Sequence, residues 1–311
     1  MKIVVTGGTG FIGQALCETL AARGDSLVAL LRQPGSAGTL PPGTERIQWN
    51  STAGPPPPRV FAGVDGVVHL AGESVARRWT PERKRRIRES RVAGTRHLVE
   101  ALAALDERPR VLVSASAVGI YGDRGDETLT EESPPGGGFL AEVCAEWEEA
   151  AERAAALGVR VARLRIGVVL DAGGGALDQL LPPFTLGLGG PVGSGRQWMS
   201  WVHRADVVGL ILHALDQPAA AGALNATAPE PLPNRDFART LGAVLRRPAL
   251  VPVPALALRL AFGEMATVLL GSQRVLPART EASGYRFRFP ALEPALRYIV
   301  GAQRRREITT P

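Results

Sequence analysis

Short apolar runs alternate with longer segments of helical periodicity through the first half of the chain. The apolar runs contain β-branched residues and little polar alternation, which predicts strands buried on both faces. These predicted strands span residues 2–6, 27–31, 46–49, 64–70, 110–114 and 159–166. Between them, apolar positions recur every three or four residues and predict helices at residues 11–23, 80–105 and 138–158.

This alternation implies a parallel sheet that is covered by helices on both faces. Right-handed crossovers then give an α/β fold with a Rossmann-type doubly wound sheet, in which ligands bind at the carboxyl ends of the strands. After Gly167 glycine and proline become frequent, and long regular elements are not expected. We therefore predict a Rossmann domain of residues 1–170 and 202–228. A smaller, irregular C-terminal substrate lobe of residues 171–201 and 229–311 would end in a helix at 292–300.

The segment TGGTGFIG, residues 6–13, joins the first predicted strand to the first predicted helix. Gly7 permits a tight turn, Gly10 lets the backbone approach a pyrophosphate, and Gly13 lets the helix pack close to the sheet. The pyrophosphate would lie on the free N–H groups at the positive end of the helix dipole. A plain turn that favours glycine is the alternative. The predicted dinucleotide contacts are Gly7, Thr9, Gly10, Phe11, Ile12 and Gly13.

The end of the second predicted strand indicates which dinucleotide is preferred. An acidic residue there would accept a hydrogen bond from the ribose 2′-hydroxyl of NAD, but residues 27–36 contain no acid. Arg32 stands at this position, and a guanidinium pairs with a 2′-phosphate through charge-assisted hydrogen bonds. The sequence therefore favours NADP over NAD. The alternative is that Arg32 is a solvated loop residue.

Composition and charge exclude several other classes of protein. The chain has 311 residues, is 45% hydrophobic and 21% charged, and carries a net charge of +6. Residues 77–91 alone hold eight basic and two acidic residues, which predicts a solvated basic helix face. A nucleic-acid binder is the alternative, but no recognised motif or aromatic interleaving supports it, so no nucleic-acid partner is expected.

Membrane, metal and disulfide chemistry are not expected either. No apolar stretch approaches the length of a membrane span. The four histidines have no ligand spacing, so no metal is predicted. Cys17 and Cys144 fall in helical patterns without a disulfide framework, which predicts a reducing, cytoplasmic location. The oligomeric state is left open by the sequence.

Six segments in order resemble an extended short-chain dehydrogenase/reductase: TGGTGFIG (6–13), HLAG (69–72), RVAGT (91–95), VSASAVGIYG (113–122), RLRIGVVL (163–170) and WVHRAD (201–206). Four longer blocks narrow the resemblance: HLAGESVARRWT, GFLAEVCAEWE, GSGRQWMSWVHRAD and LPARTEASGYRFRFP. The chain is similar over most of its length to the atypical "epimerase family" subfamily. That subfamily is nucleoside-diphosphate-sugar epimerase-like and ends in a domain of unknown function.

The resemblance implies roles for individual positions. Residues 69–72 would bring backbone near the cofactor ribose and pyrophosphate. Residues 167–170 would run past the nicotinamide, and a serine hydroxyl after the fifth predicted strand would lie beside it. A cleft between the lobes would hold the substrate. The implied cofactor residues are Leu70, Ala71, Gly72, Ser114, Gly167 and Val168, the implied catalytic serines are Ser114 and Ser116, and the implied substrate residues are Gln197, Trp201 and His203.

One part of the family pattern is absent. In that superfamily a tyrosine transfers a proton, and a lysine four residues on holds the nicotinamide ribose. Four residues after each of this chain's three tyrosines there is no lysine. Leu140 and Cys144 fall at the two family positions, and Arg91 replaces the asparagine often found at the start of RVAGT. The proton could instead come from Ser116, from His203, from water or from Tyr121, which is the best replacement acid.

These observations predict an NADP(H)-dependent oxidoreductase or epimerase-like enzyme. Its substrate would be small and polar, of the sugar-nucleotide kind, since the resemblance is to nucleotide-sugar enzymes. The alternative is a catalytically silent NADP-binding sensor or partner platform, which the missing tyrosine and lysine favour.

Overall fold

The computed structural model of the protein describes residues 1–33 and 40–309, and for residues 304–309 it describes the backbone alone. The strands are β1 (Lys2–Thr6), β2 (Ser26–Leu31), β3 (Glu45–Gln48), β4 (Gly66–His69), β5 (Val111–Ala117), β6 (Thr128–Leu129), β7 (Arg160–Ile166), β8 (Val168–Leu170), β9 (Trp198–Met199), β10 (Trp201–His203), β11 (Gly222–Ala226), β12 (Leu232–Pro233) and β13 (Arg274–Val275). The helices are α1 (Phe11–Ala22), α2 (Pro81–Ala103), α3 (Phe139–Glu152), α4 (Gly175–Thr185), α5 (Arg204–Asp216), α6 (Asn234–Leu245), α7 (Ala255–Phe262), α8 (Ala266–Leu270), α9 (Ala278–Ala282) and α10 (Leu292–Thr309).

Seven of these strands form one parallel sheet in the order β3-β2-β1-β4-β5-β7-β11. The order reverses direction at β1, and in folds of this kind ligands bind at the carboxyl ends of the strands beside such a reversal, here β1 and β4. Alternate residues of each strand face opposite layers of helix. Ile3 and Val5 join a core cluster that includes residues of α1 and α5, whereas Val4 joins one that includes residues of α2. The predicted α/β, Rossmann-type doubly wound sheet is confirmed.

Some predicted boundaries differ from those observed. The fifth predicted strand ends at residue 114, but β5 continues to Ala117, so Ser116 lies within the strand. The helix predicted at 138–158 divides into α3 and a 3₁₀ turn, Arg153–Leu157. In the segment between the second and fourth predicted strands, residues 34–39 lie outside the described residues. The rest contains β3, which corresponds to the strand predicted at 46–49.

The C-terminal part of the chain is more helical than its proline content suggested. The expectation of few regular elements was wrong for residues 228–254, where α6 runs for 12 residues. The reason is the position of the prolines. Pro233, Pro254 and Pro277 each stand at the residue before a helix, at α6, α7 and α9, where a missing N–H costs no helical hydrogen bond.

Residues near the C-terminus return to the sheet domain and bond to it. β13 pairs in parallel with β6, and the Asp206 carboxylate at the start of α5 accepts from the backbone N–H groups of Arg288 and Phe289. The buried Glu131 carboxylate accepts from the N–H groups of Asn225, Arg279 and Thr280. β11 completes the main sheet beside β7. The division into two lobes at residues 170, 202 and 228 stays a prediction.

Candidate cofactor site and the reacting edge of the sheet

The glycine turn after β1 is packed tightly against its neighbours. Gly7 has a φ of +72°, and a Cβ there would lie 2.8 Å from the carbonyl carbon of Leu70. A Cβ at Gly13 would lie 2.1 Å from the Gly7 carbonyl oxygen. The turn therefore fits between the end of β4 and the first turn of α1 only because both positions lack a side chain. Gly10 is exposed, so the backbone is open to a ligand there.

The first turn of α1 has N–H groups available for an anion. The first backbone bond of the helix runs from the N–H of Gln14 to the oxygen of Gly10, 2.9 Å away. The N–H groups of Phe11, Ile12 and Gly13 therefore have no acceptor within the helix. No side chain caps α1 at Gly10, and its first turn has no acidic residue. A phosphate group fits such an uncapped end.

A buried hydrogen-bond chain fixes the end of β4 beside this turn. The Thr6 hydroxyl accepts from the N–H of Ala71 at 3.1 Å, so its own proton is available to Nδ1 of His69, 2.7 Å away. Nε2 of His69 then carries a proton toward the Thr95 hydroxyl at 3.0 Å. Burial lowers the pKa of His69 to about 4, which keeps the ring neutral. This chain orients residues 70–72, which were implied cofactor contacts.

Arg32 lies at the same edge of the sheet as the glycine turn. It follows the last residue of β2, and Leu30 two positions earlier pairs with Thr6 of β1. The Arg32 side chain is exposed. As the contact to a 2′-phosphate Arg32 stays a prediction.

The two serines that the resemblance implies to be catalytic, Ser114 and Ser116, face the interior. The Ser116 hydroxyl donates to the Glu148 carboxylate at 2.7 Å, and the Ser114 hydroxyl donates to the carbonyl oxygen of Ala115 at 3.3 Å. Glu148 of α3 also receives two hydrogen bonds from Arg165 of β7, at 2.8 and 2.9 Å. Both partners of this ion pair are almost completely buried. Ser114 and Ser116 stay predictions as catalytic residues, and their burial favours a positioning role.

Tyr121 belongs to the same buried network. Its hydroxyl donates to Oδ1 of Asn225 at 2.7 Å and accepts from Nη1 of Arg165 at 2.9 Å. The side chain is fully buried, and this burial raises the pKa of Tyr121. The role of Tyr121 as a proton donor to substrate stays a prediction. Its hydroxyl already donates one hydrogen bond and accepts another inside the protein.

Three members of this network, Glu148, Arg165 and Asn225, were missed by sequence reasoning. One signal could have found them: the strand RVARLRI places arginines in a run predicted to be buried. A charge in a buried strand requires a partner. The partner's identity needs the fold, because Glu148 is brought to Arg165 only when α3 packs across the ends of β5 and β7.

The positions where the family has tyrosine and lysine form an apolar wall. Leu140 and Cys144 both pack under Gly119, where a Cβ would lie 3.4 Å from Leu140 Cβ and 4.0 Å from Cys144 Sγ. Burial raises the pKa of the Cys144 thiol to about 12, so the sulfur is not a thiolate. Neither side chain can transfer a proton or supply a cation.

The implied substrate residues lie inside the protein. Nε1 of Trp201 donates to the carbonyl oxygen of Glu230 at 3.1 Å, and the amide of Gln197 donates to the carbonyl oxygen of Val192 at 2.9 Å. Nδ1 of His203 accepts from the Ala205 N–H at 3.0 Å and caps α5. All three side chains are buried. As substrate contacts they stay predictions, and their burial favours a role in shaping the wall of a cleft.

The segment after β7 is held close to Ser200, the residue before β10. A Cβ at Gly167 would lie 2.5 Å from the Ser200 carbonyl oxygen, and the Val168 N–H donates to that oxygen at 2.8 Å. Further along, the guanidinium of Arg204 stacks 4.6 Å from the Phe11 ring centroid and donates to the Phe11 carbonyl oxygen at 3.2 Å. Arg204 begins α5 and lies in the predicted Rossmann domain, so this contact joins the starts of α5 and α1 within that domain.

Neither a metal-ligand cluster nor a helix of membrane-spanning character occurs in the described part of the chain. No group of three or more His, Cys, Asp or Glu side chains there is arranged to hold a metal ion. No described helix combines the length and the apolar character that are needed to cross a bilayer.

Comparison with known proteins identifies the family. The chain is 41% identical over 310 residues to the epimerase family protein SDR39U1 homolog, chloroplastic, of Arabidopsis thaliana, which covers 96% of this chain and 87% of the relative. The crystal structure of human epimerase family protein SDR39U1 (isoform 2) with NADPH superposes with a TM-score of 0.85 at 36% identity, over 97% of this chain and 99% of that chain. A nucleoside-diphosphate sugar epimerase from Corynebacterium glutamicum superposes with a TM-score of 0.76 at 35% identity, over 99% of this chain and 61% of that chain.

Two family models match successive parts of the sequence. The NAD dependent epimerase/dehydratase family matches residues 3–226, and a domain of unknown function, DUF1731, matches residues 253–299. These matches confirm the family that the sequence motifs resemble. The chain therefore belongs to the NAD dependent epimerase/dehydratase family, as a member with DUF1731 near its C-terminus.

Proposed function

We propose that this chain binds NADP(H), with its pyrophosphate on the first turn of α1 and its 2′-phosphate on Arg32. The observation that carries the proposal is the uncapped start of α1, with exposed backbone at Gly10 and an arginine beside it at the end of β2. The remaining predicted contacts are Gly7, Thr9, Phe11, Ile12, Gly13, Leu70, Ala71, Gly72, Ser114, Gly167 and Val168. The human relative crystallised with NADPH supports the choice of cofactor.

The reaction is that of an oxidoreductase or epimerase-like enzyme on a small polar, sugar-nucleotide-like substrate. The Corynebacterium relative, described as a nucleoside-diphosphate sugar epimerase, supports this substrate class. The nicotinamide supplies hydride chemistry when it is bound. The hydroxyls of Ser116 and Tyr121 are bonded to Glu148 and Arg165 within the interior, which favours water over these two hydroxyls as the source of the proton. Leu140, at the position of the family's tyrosine, is apolar and partly exposed, and so is Ala117.

Binding measurements with two cofactors test the first half of the proposal. Wild-type protein is expected to bind NADPH at least about 10-fold more tightly than NADH, since a charge-assisted pair to a phosphate contributes about 1.5–3 kcal/mol. Arg32→Ala is expected to remove this preference while leaving NADH affinity unchanged. Arg59→Ala is the control, because Arg59 is also exposed but lies before β4, at the opposite edge of the sheet. Equal affinity of wild-type protein for NADPH and NADH would contradict the assignment of Arg32.

The second candidate function is an NADP-binding sensor or partner platform without turnover. It is favoured by one observation: the hydroxyls of Ser114, Ser116 and Tyr121 are all buried and hydrogen-bonded inside the protein. NADPH absorbance followed against a panel of carbonyl compounds and nucleotide sugars separates the two functions. Turnover that Ser116→Ala or Tyr121→Phe abolishes supports an enzyme that uses these residues. Tight NADPH binding without turnover across the panel supports the sensor.

A further inference from the structure

The exposed apolar side chains of this protein are concentrated on one part of its surface. Ten large apolar side chains are exposed in the described part of the chain, and eight of them lie within residues 186–188 and 250–269. The first range follows α4, and the second runs from the segment before α7 into α8. Single exposed apolar residues are ordinary, but a concentration of this kind marks a contact surface.

The two ranges adjoin in the folded chain. The Val251 N–H donates to the Gly189 carbonyl oxygen at 3.1 Å. A Cβ at Gly193 would lie 2.8 Å from Cδ2 of Leu270, at the end of α8. The first range therefore continues into a segment that touches both ends of the second. We call this region the apolar ridge: residues 186–193 and 250–270.

The side chains of the apolar ridge project from the surface and do not line a groove. Leu250, Leu186 and Leu260 are 82%, 75% and 70% exposed. A groove that takes a partner helix encloses its anchor residues, so its walls are partly shielded even when the groove is empty. Side chains that project this far fit instead a fluid apolar medium, which closes around each of them.

The free charges on and beside the apolar ridge are positive. Residues 243–272 contain one acid, Glu264, whose carboxylate is paired with Lys84 at 2.8 Å. Arg246, Arg247 and Arg259 are exposed, and none of them forms an ion pair with a described residue. Cations of this kind favour an anionic partner. They oppose a second copy of the same surface, which would bring like charges together.

The basic segment of residues 77–91, which carries the excess positive charge of the chain, adjoins the apolar ridge. Nη1 of Arg78 donates to the carbonyl oxygen of Leu260 at 2.7 Å, near the end of α7. Arg77 beside it is exposed and has no carboxylate partner among the residues that the structure describes. Apolar and cationic side chains therefore share one side of the molecule.

We propose that the apolar ridge and the arginines around it dock the protein on the surface of an anionic lipid bilayer. Leu250, Leu256 and Leu260 would enter the boundary between headgroups and acyl chains, and the exposed arginines would pair with headgroup phosphates. Docking of this kind is peripheral and reversible, and it requires no helix that spans the bilayer. It goes beyond the proposed function, because it uses no residue of the cofactor site.

Cosedimentation of the full chain with lipid vesicles tests this docking. One set of vesicles contains phosphatidylcholine alone, and the other contains equal parts of phosphatidylcholine and phosphatidylglycerol. Wild-type protein is expected to bind the anionic vesicles at least about 10-fold more tightly, because each arginine near an anionic surface adds to the attraction. High salt is expected to reduce this preference, since it screens the exposed charges.

Surface variants separate the apolar from the electrostatic contribution. Leu256→Ser combined with Leu260→Ser is expected to weaken binding to anionic vesicles about 10- to 100-fold, since two apolar side chains no longer enter the bilayer. Arg259→Gln is expected to weaken it about fivefold and to leave binding to neutral vesicles unchanged. Arg46→Gln is the matched control, because Arg46 is exposed on β3, at the edge of the main sheet, and should change neither.

The melting temperature and the NADPH affinity of the double leucine variant should match those of wild type, because both side chains are exposed and lie outside the cofactor site. Three results would overturn the proposal. The first is wild-type protein that binds neither kind of vesicle, which would favour an acidic protein partner. The second is a double leucine variant that binds anionic vesicles as wild type does. The third is a lipid-free dimer that the same variant converts to a monomer, which would make the ridge an interface between two copies.

Discussion

His69 lies between two threonine hydroxyls, those of Thr6 and Thr95, and is completely buried. Its pKa of about 4 lies below the value of about 6.5 that the unfolded chain would have. As pH falls, the unfolded state therefore takes up the proton first, and the free energy of unfolding decreases between about pH 6.5 and pH 4. Because no acid contributes to this shift, the cause is burial alone.

We expect the titration of His69 to lower the free energy of unfolding by up to about 3 kcal/mol as pH falls from about 6.5 to about 4. Urea unfolding of wild type and His69→Gln at pH 7 and pH 4.5 measures it. The loss of stability between the two pH values should be smaller in the variant, since glutamine does not titrate. An NMR titration that gives His69 a pKa near 6.5 would contradict the prediction.

Individual residues were predictable where local chemistry alone determines their role. Gly7 and Gly13 are identified by spacing, because only glycine fits a turn pressed between a strand end and a helix. The ion pair of Glu148 and Arg165 was not predictable, since its partners meet only through the packing of α3. Trp201 and His203 fall in WVHRAD, a segment that resembles the family. Such a motif does not determine whether a side chain points into a cleft or into the core.

At the scale of elements, α1 depends on contact with the turn that precedes it. A methyl group at Gly13 would lie 2.1 Å from the Gly7 carbonyl oxygen, so the helix and the turn would have to separate. Overpacking of this kind costs about 1–3 kcal/mol. We expect Gly13→Ala to lower the free energy of unfolding by this amount and to weaken NADPH at least about 10-fold, because the N–H groups of α1 move.

Gly137→Ala is a matched control for Gly13→Ala. Gly137 has a negative φ, and a Cβ there would meet no atom within 4 Å. Thermal unfolding and NADPH titration should therefore resemble those of wild type. A Gly13→Ala protein with unchanged NADPH affinity would show that the close approach is not required for binding.

Most strands and helices of the first half were predictable, because periodicity is a local property of the sequence. The end of β5 was not, since Ala-Ser-Ala has no strong preference and its pairing with β7 extends the strand. α6 was missed for a different reason. Proline was counted as a helix breaker, but whether proline breaks a helix or begins one depends on its position within the segment.

At the scale of the whole molecule, Glu131 joins parts of the chain that are far apart in sequence. Its two carboxylate oxygens accept from the backbone of Asn225, Arg279 and Thr280, and also from the Thr280 hydroxyl. The side chain is buried. The residues matched by the epimerase family therefore share a buried anion with the residues matched by DUF1731.

We expect Glu131→Gln to lower the free energy of unfolding by about 1–3 kcal/mol. The NH₂ group of the glutamine amide would face a backbone N–H group, and two donors cannot hydrogen-bond to each other. Glu132→Gln is the neighbouring control. That side chain is exposed and forms a surface ion pair with Arg279, so its loss should cost less than about 1 kcal/mol. Chemical denaturation of both variants measures the difference, and equal costs would contradict the bridging role of Glu131.

The donors to Glu131 also determine when the protein can finish folding during synthesis. A chain leaves the ribosome from its N-terminus, and domains commonly fold as they emerge. Here the Glu131 carboxylate emerges long before Thr280, 149 positions later, which supplies two of its donors. Until then the Glu131 carboxylate, which is buried in the folded protein, has to stay hydrated. We therefore expect the nascent Rossmann domain to gain its full resistance to proteases only after residues 279 and 280 have been made.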